Sequence, residues 1–368
     1  MEIVPVSDGR GLDRFIAFPY DHYRADPLWV PQLRRDVRTL LTPGKNPFFQ
    51  HAEAQYFLAR SNGRIVGRIG AIKNDMHNRE HNDRVGFYGF FESTDDQAVA
   101  NALFDAAATW LRSRRFDTMR GPMNPSVNDD CGLLIDNNGT PPSLMMPYNF
   151  GYYPALHERY GFAKAKDLLA YEGGGAAAPE RFMRLARRAA ERFGITMRPL
   201  DMKRFDAEVE LIKALYNSAW EKNWGFVPLT DAEIDHLAKQ LKPIVVPDLV
   251  IFAELRGRIV GFGVGLPDFN LALLHNRSGH LFPGILKVLW YSRKIQRARI
   301  LLLGVIPEFR GRGVDAVLYD RVWQASVKHG MPRGEAGWIL EDNALMNKSA
   351  TQLGFRVFKT YRVYDKPL

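Results

Sequence analysis

The sequence predicts an α/β protein made of two copies of one unit, each a mixed central sheet flanked by helices. Three observations carry this expectation. The run Gly63-Arg64-Ile65-Val66-Gly67 recurs as Gly257-Arg258-Ile259-Val260-Gly261, a shift of 194. Tyr160-Gly161-Phe162 recurs as Leu353-Gly354-Phe355, and Lys166 and Tyr171 recur as Lys359 and Tyr364, a shift of 193. Landmarks at nearly one offset are the mark of an internal duplication. Within each copy, strand-like segments precede one long amphipathic helix, an order that points to α/β layers rather than separate all-α and all-β parts.

In the first copy, segments 56–60, 64–73 and 85–92 read as strands, with Gly63 in the tight turn joining the first two. Thr94-Asp95-Asp96 opens a helix running from Asp95 to about Arg115, with an apolar stripe of Val99, Leu103, Ala106, Ala107 and Trp110. The small-residue stretch Gly173-Gly174-Gly175-Ala176-Ala177-Ala178-Pro179 reads as a linker, and Pro179 opens a helix over 180–193. In the second copy, strands over 248–255, 258–266 and 299–306 precede a helix over 313–329, with a stripe of Val314, Val317, Leu318, Val322 and Ala325. Each copy then runs strand, short helix, Gly-Phe turn and final strand. The copies differ in their insertions, 121–148 after the long helix in the first and 267–295 before it in the second. The expected domains are 1–172 and 181–368, with 173–180 as the linker.

The 368-residue chain carries a net charge of +9, which favours an anionic partner: nucleic acid, a phosphorylated cofactor or an anionic membrane surface. The single cysteine, Cys131, excludes an intrachain disulfide and a multi-cysteine metal site, and fits a reducing compartment. The N-terminus lacks the pattern of a signal peptide, and no apolar run reaches the length of a bilayer span. The expectation is a cytoplasmic or peripheral protein. Its nine histidines have no metal-ligand spacing, so no metal is expected. No Ser-His-Asp or Cys-His arrangement points to covalent catalysis.

The sharpest chemical signal is 304–314, Gly304-Val305-Ile306-Pro307-Glu308-Phe309-Arg310-Gly311-Arg312-Gly313-Val314. A strand ends at Ile306, Pro307 stops its ladder, and a glycine-rich turn opens a helix. Glycines let the backbone approach an anion, and the first amides of a helix point at it with the positive end of the dipole. Arg310 and Arg312 add charge for phosphate. The spacing fits neither a nucleotide P-loop nor a dinucleotide fold. A glycine-capped surface turn with solvated arginines is the other reading. The matching place in the first copy, Phe90-Phe91-Glu92-Ser93-Thr94-Asp95-Asp96, puts two aspartates at the helix start and would reject an anion.

Residues 300–355 resemble the GNAT superfamily of N-acetyltransferases, in which a strand followed by Arg/Gln-x-x-Gly-x-Gly/Ala cradles the coenzyme A pyrophosphate. The resemblance rests on Arg310-Gly311-Arg312-Gly313-Val314-Asp315, on Asn343-Ala344-Leu345-Met346-Asn347, and on Leu353-Gly354-Phe355. It implies tandem GNAT-like acyl-CoA N-acyltransferase folds, with acyl-CoA held by Gly304, Val305, Ile306, Arg310, Gly311, Arg312, Gly313, Val314 and Asn347. Backbone amides near Val305 become the oxyanion donors. Two departures stand out. Asp315 replaces the usual Gly or Ala, and a carboxylate there repels a pyrophosphate unless it points out or pairs with an arginine. Ala350 stands where the family often has the tyrosine that protonates the leaving thiolate, so the acid comes from elsewhere or the thiolate leaves unassisted.

Acyl transfer to an amine needs an unprotonated nucleophile, a donor to the thioester oxygen and room for the pantetheine arm. Glu341 and Asp342, with Asn343 beside them, follow the strand expected to splay from 301–305 and are the candidate bases; Glu341 reads equally as a cap on the next helix. For the acceptor, the loop carrying Asn124, Asn128 and Asp129, followed by Tyr148 and Tyr152, is dense in polar groups. It reads equally as a chain of Asx turns and packed tyrosines. The insertion 280–294 couples an apolar run containing Trp290 to a basic flank, which suits an interfacial segment, the wall of an acyl groove, or a buried helix with a basic edge.

The whole chain resembles a bacterial family of tandem GNAT-like proteins that includes ceramide synthase-like acyltransferases. Shared features are Asn46-Pro47-Phe48, His51-Ala52-Glu53, Gly121-Pro122-Met123-Asn124, Tyr152-Tyr153 and Trp338-Ile339-Leu340-Glu341-Asp342-Asn343. This implies an acyl-CoA-dependent N-acyltransferase acting on a lipid-like amine such as a sphingoid base, cytoplasmic, in contact with the inner face of the membrane. Two alternatives stay open: an aminoacyl-tRNA-dependent transferase, and a non-catalytic coenzyme A-binding module. The absence of a long Lys/Arg run weighs against a nucleic-acid partner.

Overall fold

The computed structural model describes residues 1–221 and 223–368, which divide into two units. Unit 1 comprises Met1–Leu168, Asn270–Tyr291 and Lys359–Leu368; unit 2 comprises Leu169–Phe269 and Ser292–Phe358. The strands begin, in chain order, with β1 (Glu2–Pro5), β2 (Ala52–Ser61), β3 (Arg64–Asn74), β4 (Val85–Ser93) and β5 (Thr118–Gly121). Short strands β6 (Met123–Asn124), β7 (Asp130–Cys131) and β8 (Leu133–Asn137) follow, then β9 (Ala163–Gly174). The later strands are β10 (Ile195–Pro199), β11 (Val250–Leu255), β12 (Arg258–Pro267), β13 (Arg297–Val305), β14 (Arg333–Leu340) and β15 (Arg356–Pro367).

In unit 1, β1 to β4 form an antiparallel ladder and β4 pairs in parallel with β5. β5 and β8 each pair antiparallel with β15, at Tyr364–Pro367 and Lys359–Arg362. Asp96 caps the helix Gln97–Ser113 by accepting from the Ala98 amide, so the helix starts just after the two aspartates. Its buried face holds the expected Val99, Leu103 and Ala107, and widens to Ala100, Phe104, Ala108 and Leu111. These pack on Ala59, Ile69, Ala71, Tyr88 and Phe91 of the sheet.

In unit 2, β10 to β13 are antiparallel and β13 pairs in parallel with β14. The helix Val314–Lys328 covers this sheet, and Glu180–Phe193 lies beside that helix. A core of Tyr171, Phe182, Tyr319, Ala336, Ile339, Ala350, Leu353 and Phe355 closes the unit. The glycine-rich stretch after the first copy is built in: Gly173 and Gly174 end β9, and a Cβ on Gly173 would lie 2.7 Å from the Phe355 ring.

The duplicated glycines have one explanation in both copies. Gly63 and Gly257 occupy left-handed conformations, φ 77 and 78°, in the hairpin turns. A Cβ on Gly67 would meet the Glu92 carbonyl at 2.9 Å, and one on Gly261 would meet the Gly304 carbonyl at 2.8 Å. The neighbouring strand presses on the same position each time.

Chain order and unit membership part ways at three places. Each copy's final strand leaves its own unit: Leu169–Gly174 of β9 belongs to unit 2 beside β14, and Lys359–Leu368 of β15 to unit 1. Most of the insertion expected to serve the second copy, Asn270–Tyr291, also belongs to unit 1. There the Arg277 guanidinium donates to the carbonyls of Trp29 and Asp26, both at 2.7 Å, and of Tyr23 at 3.2 Å.

Candidate active site

The two parallel strands of unit 2 part company halfway. Pairing of β13 with β14 runs from Arg297↔Arg333 to Ile300↔Ala336 and stops, although β13 continues to Val305 and β14 to Leu340. Leu302, Leu303, Gly304 and Val305 keep their ladder with β12, and among the described residues no strand pairs with them across the gap. This is the splay expected from the sequence. An opening between parallel strands leaves backbone groups for a ligand in the way an exposed sheet edge does. Over β13, Trp220 approaches so closely that a Cβ on Gly304 would lie 2.7 Å from its ring.

The glycine-rich bend follows the open end of β13. Pro307–Phe309 makes one 3-10 turn, Gly311 and Gly313 take φ values of 74 and 77°, and Gly313 caps Val314–Lys328 without any side-chain hydrogen bond. The first amides of that helix therefore have no side-chain cap, the condition for receiving an anion. A Cβ on Gly311 would meet nothing within 4 Å, whereas one on Gly313 would meet Ala189 Cβ at 2.7 Å. Gly311 keeps the approach open; Gly313 lets the neighbouring helix pack, and buried Val314 anchors the first turn.

The arginines divide their work. Arg310 Nε donates to the Val305 carbonyl at 3.1 Å and its Nη2 to the Ala219 carbonyl at 2.8 Å, so Arg310 fastens the bend to the strand end. Arg312 is exposed, with its guanidinium carbon 5.0 Å from the Phe309 ring centre. Asp315 sits in the first helical turn, half-buried, and makes no ion pair among the described residues. The Ile306 amide donates to the Val260 carbonyl at 3.1 Å and has no capacity left for an oxyanion.

Past β14, Glu341 is half-buried and Asp342 exposed. Asn343 caps the helix Ala344–Gln352 through its side-chain oxygen. Asn347 holds the strand end: its Nδ2 donates to the carbonyls of Leu340 (3.0 Å) and Glu341 (3.1 Å), and its Oδ1 accepts from the Tyr171 hydroxyl at 3.0 Å. Ala350 is 1% exposed in the core. Tyr171 was not a sequence candidate; its only signal was its repetition as Tyr364. Burial raises its pKa, keeping the hydroxyl protonated.

In unit 1 the corresponding opening is filled by the chain itself. A Cβ on Gly89 of β4 would lie 1.7 Å from the Met123 carbonyl oxygen, and Asn124 Oδ1 accepts the Phe90 amide at 2.5 Å. The other acceptor candidates also serve the local fold. Ser126 Oγ accepts the Asn128 amide at 3.1 Å and donates to Asp129 Oδ2 at 2.7 Å; the Tyr148 hydroxyl donates to Asp26 at 2.6 Å. Tyr152 donates to the Ser93 carbonyl at 2.7 Å and borders a cluster that the sequence concealed. There, Glu92 Oε2 accepts from Tyr23 (2.5 Å) and Tyr153 (2.7 Å), Arg68 lies 3.6 Å from its other oxygen, and His22 bonds Tyr153 at 2.9 Å. Burial pushes the Glu92 pKa up, with Arg68 opposing, and burial with the Arg68 charge lowers His22 to about 4. The histidine is neutral, and Arg68 also reaches outside the cluster to donate to the Phe15 carbonyl at 2.9 Å.

Among the described residues, no helix is long and apolar enough to cross a membrane, and no group of three or more His, Cys, Asp or Glu is placed to hold a metal ion.

Comparison with known proteins agrees with this architecture. No family model matches the chain. It is 39% identical to the bacterial ceramide synthase of Caulobacter vibrioides, covering 100% of this chain and 98% of that one. It is 34% identical to the protein YghO of Escherichia coli, over 97% and 93% of the two chains. Among solved structures, a tandem GNAT protein from the clavulanic acid biosynthesis pathway aligns over 100% of this chain and 98% of its own, with a TM-score of 0.56 at 13% identity. A GCN5-related N-acetyltransferase from Sphaerobacter thermophilus aligns over 99% and 95%, with a TM-score of 0.53 at 14% identity. At such identities these structures speak for the fold. The chain belongs to the family of the bacterial ceramide synthase and YghO, and is an N-acyltransferase of the tandem GNAT type.

Proposed function

We propose that the protein transfers an acyl group from acyl-CoA to the amine of a lipid-like acceptor, a sphingoid base being the acceptor that the Caulobacter relative's name suggests, at the cytoplasmic face of a membrane. The observation carrying this reading is the gap between β13 and β14 leading to an uncapped, glycine-lined helix start. In this reading the amides of 311–315 and exposed Arg312 hold the diphosphate, and the pantetheine arm lies in the gap. The Val305 region supplies a donor to the thioester oxygen.

Glu341, directly or through one water, takes the proton as the amine nitrogen attacks the thioester carbon. The C–S bond then breaks, the Tyr171 hydroxyl gives its proton to the thiolate, and exchange with solvent removes the proton held by Glu341 and restores the one lost by Tyr171. A thiol is far more acidic than an amine, so this last transfer lowers the barrier only modestly. Mixing the purified protein with long-chain acyl-CoA and a long-chain amine tests the reading. It requires release of free thiol together with an N-acyl amide identified by mass; hydrolysis without amide, or no turnover with any amine, would remove it.

A further inference from the structure

We propose that Asn270–Tyr291 of unit 1 is a docking surface for an anionic lipid bilayer, an inference that rests on the membrane-face reading above and names the surface and the lipid class. The segment carries four large apolar side chains turned to solvent: Phe282 at 76% exposure, Leu286 at 72%, Trp290 at 59% and Leu289 at 52%. Leu286, Leu289 and Trp290 recur at three- and four-residue spacing on the helix Gly284–Ser292, so they share one face. Val288 and Gly284 turn the other way into the protein. Soluble surfaces scatter such residues singly; a cluster on one short helix marks an interface. Trp and Phe are also the residues that settle best at the boundary of headgroup and acyl chain.

The loop feeding this helix supplies the charge. A cavity of about 180 Å³ in unit 1 is lined by Tyr20, Asp21, Arg24, Trp29, Arg34, Arg277 and Ser278. Gly279 lets the loop lie flat on this wall: a Cβ there would lie 2.2 Å from the Tyr20 ring, and the Gly279 carbonyl accepts the Arg34 amide at 2.9 Å. Arg34 stacks 3.8 Å over Tyr20, and Arg277 spends its donors on backbone carbonyls. Neither has a carboxylate partner among the described residues; only Arg24 is paired, with Asp21. The cavity is thus net cationic and aromatic, and exposed Lys287 adds charge on the helix. Cations on the loop that feeds an apolar helix face favour a net-anionic headgroup over a zwitterionic one.

The test is flotation of the full-length protein with vesicles of phosphatidylcholine alone or mixed with phosphatidylglycerol. Two double variants accompany the wild type, Leu286→Ser with Trp290→Ser, and Arg24→Glu with Lys287→Glu. All four side chains are exposed, so the circular dichroism spectrum should not change. Wild type should float with the anionic vesicles, salt should weaken that binding, and each double variant should lower partitioning about ten-fold. If wild type and variants float equally, this surface is refuted while the membrane-face reading stands. If wild type floats with neither vesicle, both fall. A dimer that Leu286→Ser with Trp290→Ser converts to monomer would assign the face to a second copy and overturn the proposal. Acyl transfer to a soluble short-chain amine, measured in parallel without vesicles, keeps the catalytic reading separate from each of these results.

Discussion

The Arg310 guanidinium lies on the carbonyl of Val305, its Nε 3.1 Å from that oxygen, and so ties the glycine-rich bend to the last residue of the open strand. An arginine with this role acts on a ligand through the backbone it positions. Arg310→Ala should therefore weaken acyl-CoA binding about ten-fold, and Arg310→Lys should not restore it, because lysine cannot reach the Val305 and Ala219 carbonyls with a planar fork. Titration calorimetry with a non-reactive acyl-CoA analogue reads this. Arg312→Ala, which removes only exposed charge, should lose affinity in proportion to salt screening.

Gly311 and Gly313 share a left-handed backbone but differ in surroundings. Gly313→Ala adds a clash with Ala189 to the backbone strain, and should lower stability by about 2 kcal/mol. Gly311→Ala meets open space and should cost about 1 kcal/mol. Denaturant melts distinguish the two. Equal losses would mean that the packing against Ala189 does not decide the position.

The proposal takes half-buried Glu341 as the base rather than exposed Asp342. Glu341→Gln should lower kcat about a hundred-fold or more with KM for acyl-CoA little changed, while Asp342→Asn stays within a few-fold. Tyr171→Phe should lower kcat less, because thiolate is a tolerable leaving group. Ala350→Tyr should not compensate for it, since Ala350 is packed in the core and a ring there should cost about 3 kcal/mol. Single-turnover assays give each value.

Stability should rise with pH between about 4 and 6.5. Burial, with the Arg68 charge beside it, holds His22 at about 4, and burial holds His157 at about 4, so the unfolded chain binds their protons first as pH falls. Each contributes a slope of up to about 1.4 kcal/mol per pH unit across that window. Glu92, raised by burial, acts with the opposite sign and flattens the curve above its unfolded pKa. Urea melts across this range check the slope, and His157→Gln should reduce it. A flat profile in the wild type would contradict the burial of these rings.

Much of the fold was legible because its causes are local. The hairpin glycines, the Asp96 cap and the open helix start at Gly313 follow from backbone sterics that neighbouring residues dictate. Unit membership was not legible: a strand pattern reads the same whichever sheet receives it, so the destinations of Leu169–Gly174 and Lys359–Leu368 depend on long-range pairing. Sequence shows the charge of Arg310 and not the carbonyls it reaches. In the same way it shows the polar groups of Asn124, Asn128 and Tyr148 and not the local bonds they make. The Glu92 cluster stayed hidden because Tyr23, Arg68, Glu92 and Tyr153 come from distant parts of the chain and carry no shared spacing.

Hydrogen–deuterium exchange with and without a non-reactive long-chain acyl-CoA analogue addresses the central claim most directly. The account predicts that the analogue slows exchange in 301–316 and 337–343, the open strand ends and the glycine bend. Binding with protection confined to other segments, or no binding at all, would contradict it.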